Sequence, residues 1–398
     1  MELLAPVGNW SMLKAAIDAG CDAIYFGIKG LNMRANTNNF TLEETKEVIN
    51  FCHEHKVKAY CTVNIIFFEQ ELTQLKTVLE TLKTNQIDAI ICWDLAVIKF
   101  CKESGLEIHL STQASVSNSE SALLWKEFGV KRIVLARECS LEDVKEIKDK
   151  TGIEIECFIH GARCISLSGR CFMSYDLFGK SANRGECLQP CRREYTVTDE
   201  ENNKMKLENN YIMSAKDLCV LPLLPRLVEL GICSYKIEGR NRGAEYVFKV
   251  VSAYRKALTA IENKTFSEEL SNKLIEELRE VYNKDFSTGF YVNYPHHERT
   301  NVHNSKATTE KVQIGKVSNF YPHKSVVEFK VESSEISVGE KLAFIGSTTG
   351  YYEEDISEIH DENGSIQIAK QGTLVAVKLK QKVRENDKVF VIRKVVRK

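Results

Sequence analysis

A chain of 398 residues with 43% apolar residues, 27% charged residues and six prolines has the composition of a folded globular protein, and it is long enough for one large domain and a smaller one. Its formal charge of −1 excludes a global basic field, so a nucleic-acid partner must be held by a local patch. The opening MELLAPVGNW lacks the basic segment and apolar run of a secretory signal, and no later run of about 18 apolar residues offers a membrane span; a cytoplasmic location with mostly reduced cysteines is expected.

Along the first 260 or so residues, short runs rich in Ile and Val alternate with segments of helical period, the pattern of βα units and a parallel sheet. The strand candidates in chain order are ELLAPV, DAIYFGI, KAYCTVN, DAIICWD, EIHLSTQ, RIVLARE, EIECFIHG and SYKIEGR. Thr41 and Glu44 have capping-box spacing ahead of one helix, and Ser140 suits the start of another. Eight units predict an α/β fold of the (β/α)8 TIM-like type over residues 1–263, with an open doubly wound sheet as the alternative. EYTVTDEENNKMKLENNYIMSAKDL reads as a hairpin around DEENN, then a short strand or loop. Residues 264–310 read as a helical and aromatic linker. Residues 311–398 carry short β-branched segments expected to form a small antiparallel β-barrel, a possible RNA-binding module.

A TIM-like barrel carries its chemistry at the C-terminal ends of its strands. Polar residues gather there, and Asn64, Gln113, His160 and Glu238 are the catalytic candidates, with Lys236 and Arg240 beside them. Directly after the seventh strand, Cys164, Cys171, Cys187 and Cys191 fall at C-x6-C-x15-C-x3-C in a loop (161–195) crowded with Gly, Ser and Arg. Zinc, an iron–sulfur cluster, or a nucleophilic cysteine activated by His160 all remain open on residue type and spacing. Cys21, Cys52, Cys61, Cys92, Cys101, Cys219 and Cys233 stand singly in apolar or periodic segments and read as inert buried thiols.

Around these cysteines the signature Glu156, Phe158, His160-Gly161-Ala162, Cys164, Ser168-Gly169, Cys171 and Ser174, then SANRGECLQPCRREY, resembles the U-32 collagenase-like peptidase family. MELLAPVG, DAIYFG, MRA, STQ, SAKDL and KIEGR extend the resemblance along nearly the whole chain. It implies a [4Fe-4S] cluster on Cys164, Cys171, Cys187 and Cys191. It also implies oxygen-independent hydroxylation of a tRNA wobble uridine to 5-hydroxyuridine with prephenate as cosubstrate, the tRNA anticodon stem-loop as partner, and a possible paralogous family member. Cys157 departs from the pattern, as a fifth thiol close to the ligand set. An rRNA hydroxylase or a small-molecule hydroxylase acting on a quinone precursor is the alternative, and a peptidase the third; no HExxH or GxSxG supports the last.

Two carboxylates on prephenate call for cations, and Arg163, Arg184, Arg193, Lys236 and Arg240 are the expected substrate-binding residues. The loop from Arg163 to Arg193 is locally positive, with Arg163, Arg170, Lys180, Arg184, Arg192 and Arg193 against Asp176 and Glu186. The tail from Lys378 onward is a second basic patch. Phe286, Phe290, Tyr291 and Tyr294 are aromatics expected to pack between the two domains, or to stack on bases.

Overall fold

The computed structural model describes residues 1–205, 211–295, 298–302 and 304–395. Eight parallel strands close on themselves: β1 (Glu2–Pro6), β2 (Ala23–Gly27), β3 (Lys58–Thr62), β4 (Ala89–Cys92), β5 (Ile108–Leu110), β6 (Arg132–Val134), β7 (Glu154–Gly161) and β8 (Ser234–Ile237), with β8 paired to both β1 and β7. This is the TIM-like barrel, and closure settles it against the open sheet. Helices α1 (Trp10–Asp18), α2 (Thr45–Glu54), α3 (Leu72–Thr84), α4 (Leu95–Ser104), α5 (Ser119–Glu127) and α6 (Leu141–Thr151) cover its outer face. Local signals set their ends. Thr41 and Glu44 bond each other's backbone N–H ahead of α2, and Ser140 and Asp143 form the reciprocal box that starts α6.

Inside the barrel, Leu4, Ala23, Tyr25, Tyr60, Ala89 and Ile91 form a small apolar cluster. The rest of the interior is charged. Glu156, with no exposed surface, accepts from Lys236 Nζ at 2.8 Å and faces Arg132 Nη1 at 3.5 Å; Arg132 in turn reaches Glu2 and Glu154. Such a column persists because each buried charge has a partner within hydrogen-bond reach.

After β7 the cysteine loop folds as short turns around one six-residue helix, α7 (Met173–Phe178). The expected hairpin is present, with Val197–Thr198 paired to Lys204–Met205; the stretch 206–210 lies outside the described residues. The short strand Asp217–Cys219 runs antiparallel to the end of β7 and parallel to Phe286–Ser287. Helices α8 (Leu224–Glu229), α9 (Ala244–Glu262) and α10 (Glu268–Arg279) complete the barrel's cover.

Residues 264–310 do not act as a spacer. Leu274, Leu278, Val281 and Tyr291 are buried in the barrel's own core cluster, because the amphipathic α10 needs an apolar surface and finds it against α9. Phe286 and Tyr291 pack on β7, where the Tyr291 hydroxyl donates to the Phe158 carbonyl, so they are not at the boundary between domains. Phe290 meets Tyr294 edge to face, and Tyr294 is exposed.

The C-terminal region is an eight-stranded antiparallel sheet wrapped round its own core of Ile314, Val327, Phe329, Phe344, Val375 and Val389, with the long strand Thr309–Tyr321 bridging its two halves. It docks on α1 and α9. Tyr351 and Ala343 enter the barrel's core cluster, and Lys249 of α9 reaches Glu353 at 2.8 Å. The basic tail is partly neutralised, since Lys380 pairs with Glu354 and Arg393 with Glu340; Arg397 and Lys398 lie outside the described residues.

Removing the Glu156 carboxylate leaves Lys236 and Arg132 buried with too little negative charge. Glu156→Ala is expected to cost about 3–5 kcal/mol in urea unfolding, against about 1 kcal/mol for loss of the α6 cap in Ser140→Ala.

Candidate functional site

Two connected spaces lie at the C-terminal ends of the strands. The barrel mouth is a chamber of about 60 Å³ lined by Tyr25, Asn64, Gln113, Lys236, Glu238 and Arg240, together with Arg34 and Arg137. Above it lies a cavity of about 360 Å³ lined by Cys164, Cys171, Cys187 and Cys191. Met33, Arg34, Gln113 and Arg137 line both, so the thiols look onto the mouth.

The cysteine loop is tied down by polar contacts to strand ends. Glu138 accepts from Ser168 N at 3.1 Å and Ser168 Oγ at 3.2 Å; Arg184 forks onto Glu71 at 2.6 and 2.9 Å; Arg192 donates to the carbonyls of Ala215 and Arg163. Two glycines are obligatory. A Cβ on Gly161 (φ +105°) would stand 2.4 Å from the Glu238 carbonyl, and one on Gly185 (φ +84°) would stand 2.2 Å from that of Asn32.

Three of the four thiols share one local geometry. The N–H two residues on points at each sulfur: Ser166 N to Cys164 Sγ at 3.5 Å, Met173 N to Cys171 Sγ at 3.4 Å and Gln189 N to Cys187 Sγ at 3.4 Å. Amide donors aimed at sulfur stabilise thiolate and tune a bound metal centre. Burial pushes the Cys191 thiol up to about 11 and raises that of Cys187, and the neighbouring thiols push the same way. A cation sharing the cavity would favour the thiolate at Cys187 and Cys191 against that burial. Among the described residues no three His, Cys, Asp or Glu side chains converge on a single metal ion. Four thiolates are a donor set that a [4Fe-4S] cluster takes, and one that zinc takes as well. Cys157 is buried on β7 and lines neither space, which separates it from the four.

At the mouth, the Asn64 side chain accepts from Met33 N at 3.1 Å and donates to Ser111 Oγ at 3.3 Å and Gln113 Oε1 at 3.4 Å. Glu238 Oε1 accepts from Arg34 Nη2 at 3.0 Å, and its Oε2 is buried without a partner. Burial opposes the Glu238 carboxylate, yet Arg34, Arg137 and Arg242 outweigh it and hold the group below its usual range. Arg240 donates to Thr62 Oγ1 at 3.0 Å and to Asn39 Oδ1, and burial brings it down to about 10. Lys236 is lowered by burial, with Glu156 opposing. The Nε atoms of Arg34, Arg137 and Arg240 are all buried without a partner. Three arginines and a lysine thus face one mouth carboxylate, which makes the chamber an anion site.

Several expected site residues lie elsewhere. His160 lines neither space, because a β-bulge between β7 and β8 sets Phe158 opposite Lys236 but His160 opposite Ile237. The extra residue, Ile159, breaks the alternation and turns the imidazole outward. There it packs among Tyr246, Tyr254 and Phe286 with ring centres 5.5–6.0 Å away, and burial brings its pKa down to about 3. Arg184 is consumed by Glu71, and Arg193 is exposed over the Phe178 ring. Arg163 walls the cysteine cavity but is turned to Glu298 and Ser287. Their places are taken by Arg34, which the MRA match contains, and Arg137, which ends β6. Among the described residues no histidine lines either space, so no cysteine–histidine nucleophile is assembled there.

Comparison with known proteins shows the family. The family description "Peptidase family U32" matches residues 8–301. The chain belongs to that family. It is 38% identical over 402 residues to a collagenase of Porphyromonas gingivalis, covering 98% of this chain and 97% of that protein. It is 35% identical over 386 residues to tRNA hydroxylation protein P1 of Bacillus subtilis, covering 95% of this chain and 91% of that one. It is also 35% identical over 261 residues to the 23S rRNA 5-hydroxycytidine synthase of Escherichia coli, covering 66% of this chain but 40% of that protein. No described helix is long and apolar enough to cross a membrane.

The buried imidazole generates a pH effect. His160 titrates near 3 in the fold against 6.5 unfolded, so the unfolded chain takes up the proton first; the contribution is intact above about pH 6.5 and is lost as pH falls towards 3. His160→Phe keeps the aromatic packing and removes the proton site. Its melting temperature is expected to fall less between about pH 7 and pH 5 than that of the wild type, in parallel thermal scans.

Proposed function

We propose that this protein is a tRNA-modifying enzyme that hydroxylates the wobble uridine to 5-hydroxyuridine without oxygen, using a [4Fe-4S] cluster and prephenate, in the cytoplasm. The observation that carries the reading is the placement of four thiols, three with amide donors on sulfur, over an arginine-lined barrel mouth. Cys164, Cys171, Cys187 and Cys191 would hold the cluster, which would supply electron transfer beside the base.

The chain's own residues bind and orient. A base entering from the RNA leaves its stack and meets the amides of Asn64 and Gln113, which suit the edge of a pyrimidine. Arg34, Arg137 and Arg240 face the carboxylates of prephenate, with Nε–H groups still to be satisfied. Glu238 is held ionised by Arg34, Arg137 and Arg242 and stands as the proton acceptor of the mouth. The cysteine loop roofs both spaces and limits water. tRNA is favoured over rRNA because the likeness to the tRNA protein runs nearly end to end in both chains, whereas the rRNA synthase is much longer than the shared part. A peptidase reading has the collagenase likeness behind it, but among the described residues no cysteine or histidine lines the mouth to act as nucleophile or to activate Ser111 or Thr112.

Deletion of the gene is expected to remove 5-hydroxyuridine from digested tRNA analysed by mass spectrometry. The wild-type gene restores it and Cys187→Ala does not; unchanged tRNA with altered rRNA nucleosides, or with altered peptide cleavage alone, sinks the proposal. Protein purified without air should carry about four irons and four sulfides per chain, lost on replacing any of the four cysteines. Arg137→Gln and Arg240→Gln are each expected to raise the prephenate concentration required about tenfold or more, with the cluster's absorption spectrum unchanged, since each removes a charged hydrogen bond.

A further inference from the structure

The cysteine loop leaves large side chains in water to an extent seen nowhere else along the described chain. Phe172 is 72% exposed, Tyr175 56%, Leu177 50% and Phe178 38%, all on or beside α7. Apolar surface of this density marks a contact site. Arginines accompany the rings. Arg193 lies over Phe178 at 4.6 Å, Arg184 over Phe68 at 5.2 Å and Arg170 over Trp93 at 5.9 Å, where Phe68 and Trp93 follow β3 and β4 on the same rim. Arg184 is neutralised by Glu71, but Arg170 and Arg193 have no carboxylate partner among the described residues.

Exposed rings alternating with unneutralised guanidinium groups match the chemistry of an unpaired nucleic-acid strand, which offers flat base faces and a phosphate for each base. Aromatic residues with arginine also suit a protein partner; the two guanidinium groups without a carboxylate are what favour a strand that brings a phosphate with each base. These rings adjoin the cavity along the chain, since Cys171, Met173 and Ser174 line it, and a base withdrawn from its stack leaves neighbours with uncovered faces.

We infer that the exposed face of the cysteine loop is a landing surface for a single-stranded RNA segment. Phe172, Tyr175 and Phe178 stack the bases that flank the entering one, and Arg170 and Arg193 meet the adjoining phosphates. This rests on the RNA reading above and adds the surface that receives the strand.

The test uses the full chain purified without air, with fluorescence anisotropy of a short labelled oligouridylate and of a labelled duplex of equal length. Phe172→Ala with Tyr175→Ala is expected to weaken oligouridylate binding about tenfold or more, as loss of base stacking does. Phe172→Trp should retain affinity and Phe172→Leu should lose it, because leucine is apolar but cannot stack. Arg193→Gln should reduce the salt dependence of binding. Equal binding by the double variant and the wild type overturns the inference, as does equal binding of Phe172→Leu, or a duplex held as tightly as the single strand. A protein partner that needs Phe172 while oligouridylate does not also overturns it. If the wild type hydroxylates RNA but the variants bind normally, only the landing surface fails; if binding depends on the rim but no hydroxylated nucleoside forms, only the hydroxylase reading fails.

Discussion

Glu156 is a carboxylate sealed inside a barrel, and its need for compensation organises the interior. Arg132 below and Lys236 above supply the opposite charge, and together they span the barrel from Glu2 and Glu154 to the mouth. A buried ion pair adds little net stability over an apolar filling, yet breaking one leaves a charge with no escape. The column therefore fixes which strands stand opposite one another more than it strengthens the fold. It also divides the cations of the mouth into two kinds. Lys236 is committed downward, whereas Arg34 holds Glu238, and Arg34, Arg137 and Arg240 each keep an Nε–H unused.

The loop above the mouth is built on different physics. It has little apolar core, and its turns are held by Glu138, Glu71, Asn183 and Ser174 through hydrogen bonds to backbone or to arginine. With its polar groups turned down to the barrel, the loop turns its aromatic residues outward. The C-terminal sheet leaves this face alone. It is clamped to the opposite flank through Tyr351 against Phe248 and Lys249 against Glu353, so the cavity above the barrel is not closed by it.

The βα rhythm of eight Ile- and Val-rich runs was enough to predict the barrel, because each strand is buried on both faces and each helix on one. That Cys164, Cys171, Cys187 and Cys191 stand apart from the core was legible because thiols in a Gly- and Arg-rich loop have no core to hide in, and they line one cavity. Asn64, Gln113, Glu238, Lys236 and Arg240 were legible because strand ends are fixed once strands are known. Three things were decided only by tertiary structure. The bulge at Ile159 costs one residue of register and takes His160 from the mouth to an aromatic box, and nothing in EIECFIHG announces it. The arginines could not be sorted by sequence, since Arg184 is spent on Glu71 and Arg193 lies outside the mouth over the exposed Phe178 ring, while Arg34 arrives from the loop after β2. The segment 264–310 looked like a tether because its helix is highly charged, but only the packed barrel supplies the apolar face that its buried stripe covers. Sequence determined which residues are available at the C-terminal rim; which of them face the same space depends on register and on pairing between distant segments, and those are properties of the closed barrel.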